Sequence, residues 1–425
     1  MTRGLELLES FFDEFLTRLP TASPSQISEL MFQAEMTFRR TGYRDEISAG
    51  VENILVVRLD EFGDIILTSG FLREVRKNFP SARITVVVKP LSLPLVEFCP
   101  YVNEILTFDQ NSLDRNFPTM LKTLVDFCRK NLWRKRFSLA FLPKWDGDQM
   151  PGLLLAWLSG ARERIGYGEG VAKNWTGLVN EAEDARDNFL LARNILTPRS
   201  VMAMAARNFY LLESVGLRVD ETHMELFFST EDFLHAQKLL QAVPSNCKKI
   251  LLGISASGGV RRYPVEKYLV ALKELAKKNF VFVIVGGKSE VDEAAYVEKN
   301  LPRGKVFNFT GKTTLRETEA VISQMDFYLG NDTGIMHMAA AAQIPVLVLY
   351  QEAKDRENVL PGIFSSYRKF PPWQTKFVAL RPEHPLGDCA KLPPTYTHCH
   401  CNFPHCITQI TPQEILDGFA ALEKL

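Results

Sequence analysis

The sequence predicts an α/β protein made of two successive parallel-sheet units behind a helical segment. Three observations lead there. Short, continuous apolar runs recur, as strands buried on both faces require: Ile54-Leu55-Val56-Val57, Ile84 to Val88 and Leu139 to Leu142. Helical stretches over 65–78 and 117–131 separate them, the alternation of a parallel sheet. The pattern then restarts after residue 245, with strands expected at 250–254, 280–285, 327–330 and 345–350, and helices over 264–278 and 333–342.

Residues 1–50 read as two helices. Leu5, Leu8, Phe12, Phe15 and Leu19 share one helical stripe. Ser23-Pro24-Ser25-Gln26 supplies a cap, a proline at the first helical position and Gln three residues after the cap. Ile27, Leu30, Met31, Ala34 and Phe38 follow as its apolar face. Such a face usually turns to a core, which makes a hairpin packed on the first unit. An oligomer contact or a membrane-surface contact through residues 1–50 stays open as the alternative. The expected organisation is a helical extension over 1–50, Rossmann-like units over 51–220 and 221–410, and a closing helix over 411–425. The cleft between the units is the natural ligand site.

Composition excludes some functions. Lys plus Arg and Asp plus Glu are 50 each, a net charge of zero. Without a basic excess, nucleic acid is not an expected partner. No apolar run is long enough to span a bilayer. Glu6, Glu9, Asp13 and Glu14 interrupt the start, so no signal peptide is expected there. The expected compartment is the cytoplasm, where the seven cysteines would be reduced.

Four stretches carry chemistry. Arg58-Leu59-Asp60-Glu61-Phe62-Gly63-Asp64 follows the first strand. Gly63 permits a close backbone approach, and Asp64 falls at a helix start, where amide dipoles favour its charge. From spacing alone, Asp64 is equally a helix cap. Ser255-Ala256-Ser257-Gly258-Gly259-Val260-Arg261-Arg262-Tyr263-Pro264 follows a strand of the second unit. Its hydroxyls and glycine amides can cradle phosphate, and its arginines offer fixed charge. Asp332-Thr333-Gly334 opens a helix that carries His337 one turn on. The free amides at such a helix start form an anion site. Last, the segment 384–406 holds Cys389, Cys399, Cys401 and Cys406 with His384, His398, His400 and His405. Thiols clustered in a reducing compartment suit structural zinc or iron, and a loop with free thiols is the alternative.

In order, these stretches resemble glycosyltransferase family 9, the ADP-heptose-dependent heptosyltransferases. The resemblance runs from Ile54 to Ile410. Its pieces are Ile54 to Asp64, Leu158 to Tyr167, Ser255 to Pro264, and Asp332-Thr333-Gly334 with His337, the last being the most specific. The resemblance implies a GT-B fold and an inverting transfer from an ADP-sugar, ADP-heptose by family habit, without a catalytic metal. It implies Asp64 as general base on the acceptor-side unit. Ser255, Ser257, Arg261, Thr333 and Gly334 would hold the diphosphate, Asp332 and His337 the sugar and phosphate, and Glu290 the ribose. Arg261 replaces the family's lysine, and the N-terminal helices are additional. The tail resembles a branch that modifies autotransporter proteins and carries a cysteine-bound metal. The acceptor therefore stays open between a lipopolysaccharide-core glycan, lipid-linked and at the inner membrane, and a protein hydroxyl. A nucleotide-sugar epimerase and a non-catalytic scaffold are the other readings.

Overall fold

The computed structural model describes residues 2–41, 50–145, 150–167, 190–195, 203–256, 258–356, 365–392, 401 and 403–425. Among them are two six-stranded sheets, parallel at every pairing. The first contains β1 (Asn53–Arg58), β2 (Arg83–Val88), β3 (Glu104–Thr107), β4 (Leu139–Leu142), β5 (Glu163–Tyr167) and β6 (Arg193–Ile195), in the order β3-β2-β1-β4-β5-β6. The second contains β7 (Lys248–Gly253), β8 (Phe280–Ile284), β9 (Val306–Asn308), β10 (Phe327–Asn331), β11 (Val346–Leu349) and β12 (Phe377–Leu380), in the order β12-β11-β10-β7-β8-β9. In each sheet the order reverses beside the first strand of the unit. That switch point opens a crevice beyond the carboxyl ends of the strands. β1 and β10, the central strands, carry their motifs to these edges. The fold is the expected GT-B arrangement.

The continuous apolar runs became central strands because both of their faces are covered: Ile54 to Val56 and Val346 to Leu349 are fully buried. Strands β3, β5, β6, β9 and β12 were not anticipated. Each is three to five residues long, β3 and β12 are only half-buried, and β5 opens on Glu163 and Arg164, so none carries a long apolar signature.

The N-terminal hairpin is part of the first lobe. Helix Pro24–Arg40 starts as expected: Gln26 N–H bonds Ser23 Oγ at 3.4 Å, and Ser23 N–H bonds Gln26 Oε1 at 2.7 Å. Phe12 packs on Trp133 with ring centres 5.3 Å apart, and Phe38 meets Trp157 at 6.0 Å. Trp157 Nε1–H donates to the buried Glu35 at 3.0 Å. Truncating a phenylalanine as buried as Phe12 costs about 3–5 kcal/mol, so the hairpin contributes to the lobe's core.

One expected helix, over 65–78, is two. Phe62–Ile66 ends, and Ser69–Asn78 begins on a new axis. Ser69 at the break donates its hydroxyl to Ile66 O at 2.7 Å and accepts from Glu225 N–H at 2.8 Å, so the segment joining the lobes is anchored there.

Candidate active site

The first-lobe rim is built on Arg58, the last residue of β1. A guanidinium at the end of an apolar strand can be buried only if its donors are paired. Arg58 is 1% exposed and donates to the carbonyl of Pro143. It also meets Asp60 at 3.0 Å and Asp64 Oδ1 at 3.1 Å. Lys144 pairs with Asp60 and Lys89 with Glu61. Burial opposes ionisation of Asp60, but Arg58 and Lys144 together hold its carboxyl below the usual range. Asp64 lies in the first turn of helix Phe62–Ile66, but Glu61 occupies the cap position. The Asp64 carboxylate is 21% exposed, so it is fixed by Arg58 and reachable from the cleft.

The second rim is built on β10. Asn331, its last residue, donates to Ile254 O at 2.7 Å. Its Oδ1 accepts from Tyr263 N–H at 3.2 Å and Tyr268 Oη–H at 3.0 Å. These bonds tie the strand end to the loop after β7, which sets Ser255 and Arg261 beside Asp332. Arg261 Nη1 is 3.8 Å from Asp332 Oδ2. Thr333 caps helix Gly334–Ala341 by position, without a side-chain bond to it. Among the described residues, His337 Nδ1 is buried and lacks a hydrogen-bond partner, and the buried Thr333 Oγ1 has only the Tyr328 hydroxyl beside it. Burial is the main influence on Asp332, pushing its carboxyl up to about 7; Arg261 opposes this, and Glu352 and Asp64 add to it. Burial, aided by the charge of Arg261, lowers His337 to about 4, so the imidazole is neutral at pH 7.

The rims meet through two glycines. A Cβ on Gly63 would lie 3.2 Å from His337 Cδ2 and 3.3 Å from Gly334 Cα. A Cβ on Gly334 would lie 1.9 Å from Phe62 Cε2, an impossible contact. Helix Phe62–Ile66 is thus seated on the start of helix Gly334–Ala341. Beside this contact lies a cavity of about 560 Å³ lined by both lobes. Ser255, Gly258, Glu290, Thr333 and Gly334 face it from the second lobe, and Phe62 and Leu91 from the first. Glu290 stands near the glycine pair after β8: a Cβ on Gly286 would come within 3.2 Å of Glu290 Oε2.

Of the residues singled out by sequence, Asp64, Ser255, Arg261, Glu290, Asp332, Thr333, Gly334 and His337 lie on these rims. Ser257 and Cys399 lie outside the described residues. Arg58 was quoted in its motif without a role; its signal was a cation closing an apolar strand. Phe62 and Leu91 gave no signal, since their meeting with the second lobe is purely tertiary.

The cysteine-rich tail forms a separate cluster. Ligand atoms of Cys389, Cys401 and His405 lie within 4.8 Å of one another. Cys406 Sγ lies 3.5 Å from His405 Nδ1 and accepts from Leu386 N–H at 3.4 Å. Cys389, Cys401 and Cys406 were expected as ligands; His405 is new.

Two parallel-sheet lobes, with a carboxylate on one rim facing a helix start on the other, form the two-lobed arrangement of GT-B glycosyltransferases. The model of glycosyltransferase family 9 (heptosyltransferase) matches residues 154–367, half of the chain. The chain belongs to this family and is an enzyme of the glycosyltransferase type. It is 22% identical over 330 residues to lipopolysaccharide heptosyltransferase 3 of Escherichia coli (strain K12), covering 73% of this chain and 87% of that one. It is 24% identical over 310 residues to the lipopolysaccharide core heptosyltransferase OpsX of Haemophilus influenzae, covering 70% and 79%. In fold it is similar to a family 9 glycosyl transferase of Veillonella parvula, with a TM-score of 0.68, 17% identity, and 89% and 99% of the two chains covered. It is also similar to the ADP-heptose lipopolysaccharide heptosyltransferase II of E. coli, with a TM-score of 0.61, 20% identity, and 88% and 100% covered.

Proposed function

We propose that this enzyme moves a heptose from ADP-heptose to a hydroxyl of a lipopolysaccharide-core glycan, with inversion and with Asp64 as general base. The observation that supports the reading is the seating of the Asp64 helix on the start of helix Gly334–Ala341, where free backbone amides suit an anion. The curated relatives are lipopolysaccharide heptosyltransferases, which supports the donor and acceptor classes.

In this reading Asp64 accepts the proton of the acceptor hydroxyl, and the hydroxyl's oxygen forms a bond to the anomeric carbon. The bond from that carbon to the diphosphate oxygen breaks on the opposite face, and the electron pair leaves with ADP. Charge develops on the leaving diphosphate, where fixed donors are worth most. The amides at Thr333 and Gly334, the Thr333 hydroxyl, Ser255, Ser257 and Arg261 supply them. Neutral His337 and Asp332 hold the sugar end, and Glu290 holds the ribose. Arg58 positions Asp64. No step uses a metal. No helix among the described residues is long and apolar enough to cross a membrane. A lipid-linked acceptor implies work in the cytoplasm at the inner-membrane face.

The test is thermal-shift screening against ADP-, UDP-, GDP- and CMP-sugars, followed by mass spectrometry of a core-glycan acceptor. Selective stabilisation by the ADP-sugar and one added heptose are expected. Epimerisation of a donor without acceptor, or no response to any nucleotide, would overturn the assignment.

The tail favours a second reading of the acceptor, a protein hydroxyl. The soft sulfur and imidazole donors of Cys389, Cys401 and His405, with Cys406 adjacent, fit a structural zinc or iron. Cys399 completes the thiol set proposed from sequence. Elemental analysis of the purified protein and of Cys401→Ser checks this. About one metal per chain, lost in the variant, is expected; absence from both would remove the site.

A further inference from the structure

The donor cavity has an element that belongs to the wrong lobe for a simple nucleotide-binding domain. Leu91 sits in the 3-10 segment Pro90–Leu95 of the first lobe, directly after β2, and lines the same cavity as Glu290, Thr313, Leu315 and Thr318 of the second. It is 66% exposed, the most exposed of the large apolar side chains on the described surface. An aliphatic side chain held in water at the mouth of a cavity gains from whatever covers it.

Its position is set by a latch a few residues further on. Arg316, the neighbour of Leu315, pairs with Glu97 of the first lobe, and its guanidinium lies 5.0 Å from the Phe98 ring centre. On its own side Arg316 is held by Asp232 at 3.0 Å. The latch therefore holds Leu91 and Leu315 in the lining of one cavity. Glu290 and the loop Gly286-Gly287 offer polar groups on the same cavity wall as Ser289. An apolar pair beside a carboxylate suits a flat heteroaromatic ring attached to a ribose.

We infer that Leu91 of the first lobe is a specificity contact for the purine ring of the donor nucleotide, covering it together with Leu315, and that the Arg316–Glu97–Phe98 latch positions it. This rests on the proposed use of an ADP-sugar and adds that the acceptor-side lobe takes part in donor recognition. A consequence is that donor binding reinforces a contact between the lobes that Phe62, Gly334 and the latch already make. Donor affinity then depends on residues that never touch the sugar or its phosphates.

The test is calorimetry on the full chain with ADP, UDP and inorganic pyrophosphate. Leu91→Ala is expected to weaken ADP about tenfold, which corresponds to about 1.4 kcal/mol, and to leave pyrophosphate unchanged. Leu91→Met, which keeps apolar bulk, should bind ADP like the parent. Glu97→Gln should weaken ADP by a smaller factor, about threefold, again without affecting pyrophosphate. ADP binding by Leu91→Ala equal to that of the parent overturns the inference, as does an equal loss for pyrophosphate, since Leu91 would then act on the phosphates or the fold. If the parent protein itself binds no ADP, the donor assignment fails instead. Tighter binding of UDP than ADP would contradict the purine. Melting temperatures of each variant establish that it folds.

Discussion

The two rims of the cleft differ in how their charges are satisfied. On the first lobe, Arg58, Lys89 and Lys144 are ion-paired with Asp60, Glu61 and Asp64, although Arg58 Nε and Asp60 Oδ2 make no hydrogen bond. On the second lobe, His337 Nδ1 is buried with no partner among the described residues, Thr333 Oγ1 has only the Tyr328 hydroxyl, and Asp332 and Arg261 stand 3.8 Å apart. A buried polar atom without a partner costs about 1–3 kcal/mol, and such atoms persist where a ligand completes them. The first rim's ion pairs are complete before substrate arrives, as the proposed base requires. On the proposed reading, the donor completes the second.

Each side of this contrast can be broken separately. Asp64→Ala is expected to have the largest effect, a loss of turnover on the order of 10³, as for removal of a positioned base. A rate within threefold of the parent would reject the assignment. Gly334→Val comes next. Its side chain would occupy the place of the Phe62 ring, so the seating of the Asp64 helix must shift. Misplacing a catalytic group by an ångström costs on the order of 10² in rate. Turnover should fall by that factor while the melting temperature changes little.

The third effect is on stability. Asp332 is raised to about 7 mainly by burial, so the folded chain holds this proton more tightly than the unfolded chain does. The contribution of the protonated acid is full below the ordinary carboxylate pKa and is lost as pH rises through about 7. Asp332→Asn keeps the shape without the charge. It should melt several degrees above the parent at pH 8, and the gap should close as pH falls to about 3.8. Equal differences at both pH values would contradict the buried-carboxylate picture. The smallest effect is a null one: with His337 lowered to about 4, its imidazole NMR signals should stay flat from pH 5.5 to 8.

The legibility of the molecule follows the same division. The central strands could be read because burial on two faces demands unbroken apolar runs. The short edge strands could not, since half-exposed segments carry mixed residues. Asp64 and the Asp332–His337 stretch were singled out because each follows a buried strand, although spacing alone left Asp64 equally a helix cap. The restraint of Asp64 by Arg58 was half visible. The fit of Gly334 against Phe62 was not, because it joins two segments distant in sequence. His405 was obscured among four tail histidines, and folding alone selects it as the neighbour of Cys389 and Cys401. In the stretch Leu158 to Tyr167, Arg164 proves to be a buried anchor, bonding Leu190 O at 2.8 Å and Ala161 O at 2.9 Å.

The contrast between a completed rim and a waiting rim is tested most directly by ADP calorimetry on one variant of each. Asp64→Ala is expected to bind ADP as the parent does, because its rim contributes the base and no phosphate contact. Thr333→Val, which removes only a buried hydroxyl, is expected to bind at least about tenfold more weakly. Unchanged affinity in Thr333→Val, or an equal loss in both variants, would contradict the separation of base and cradle between the lobes.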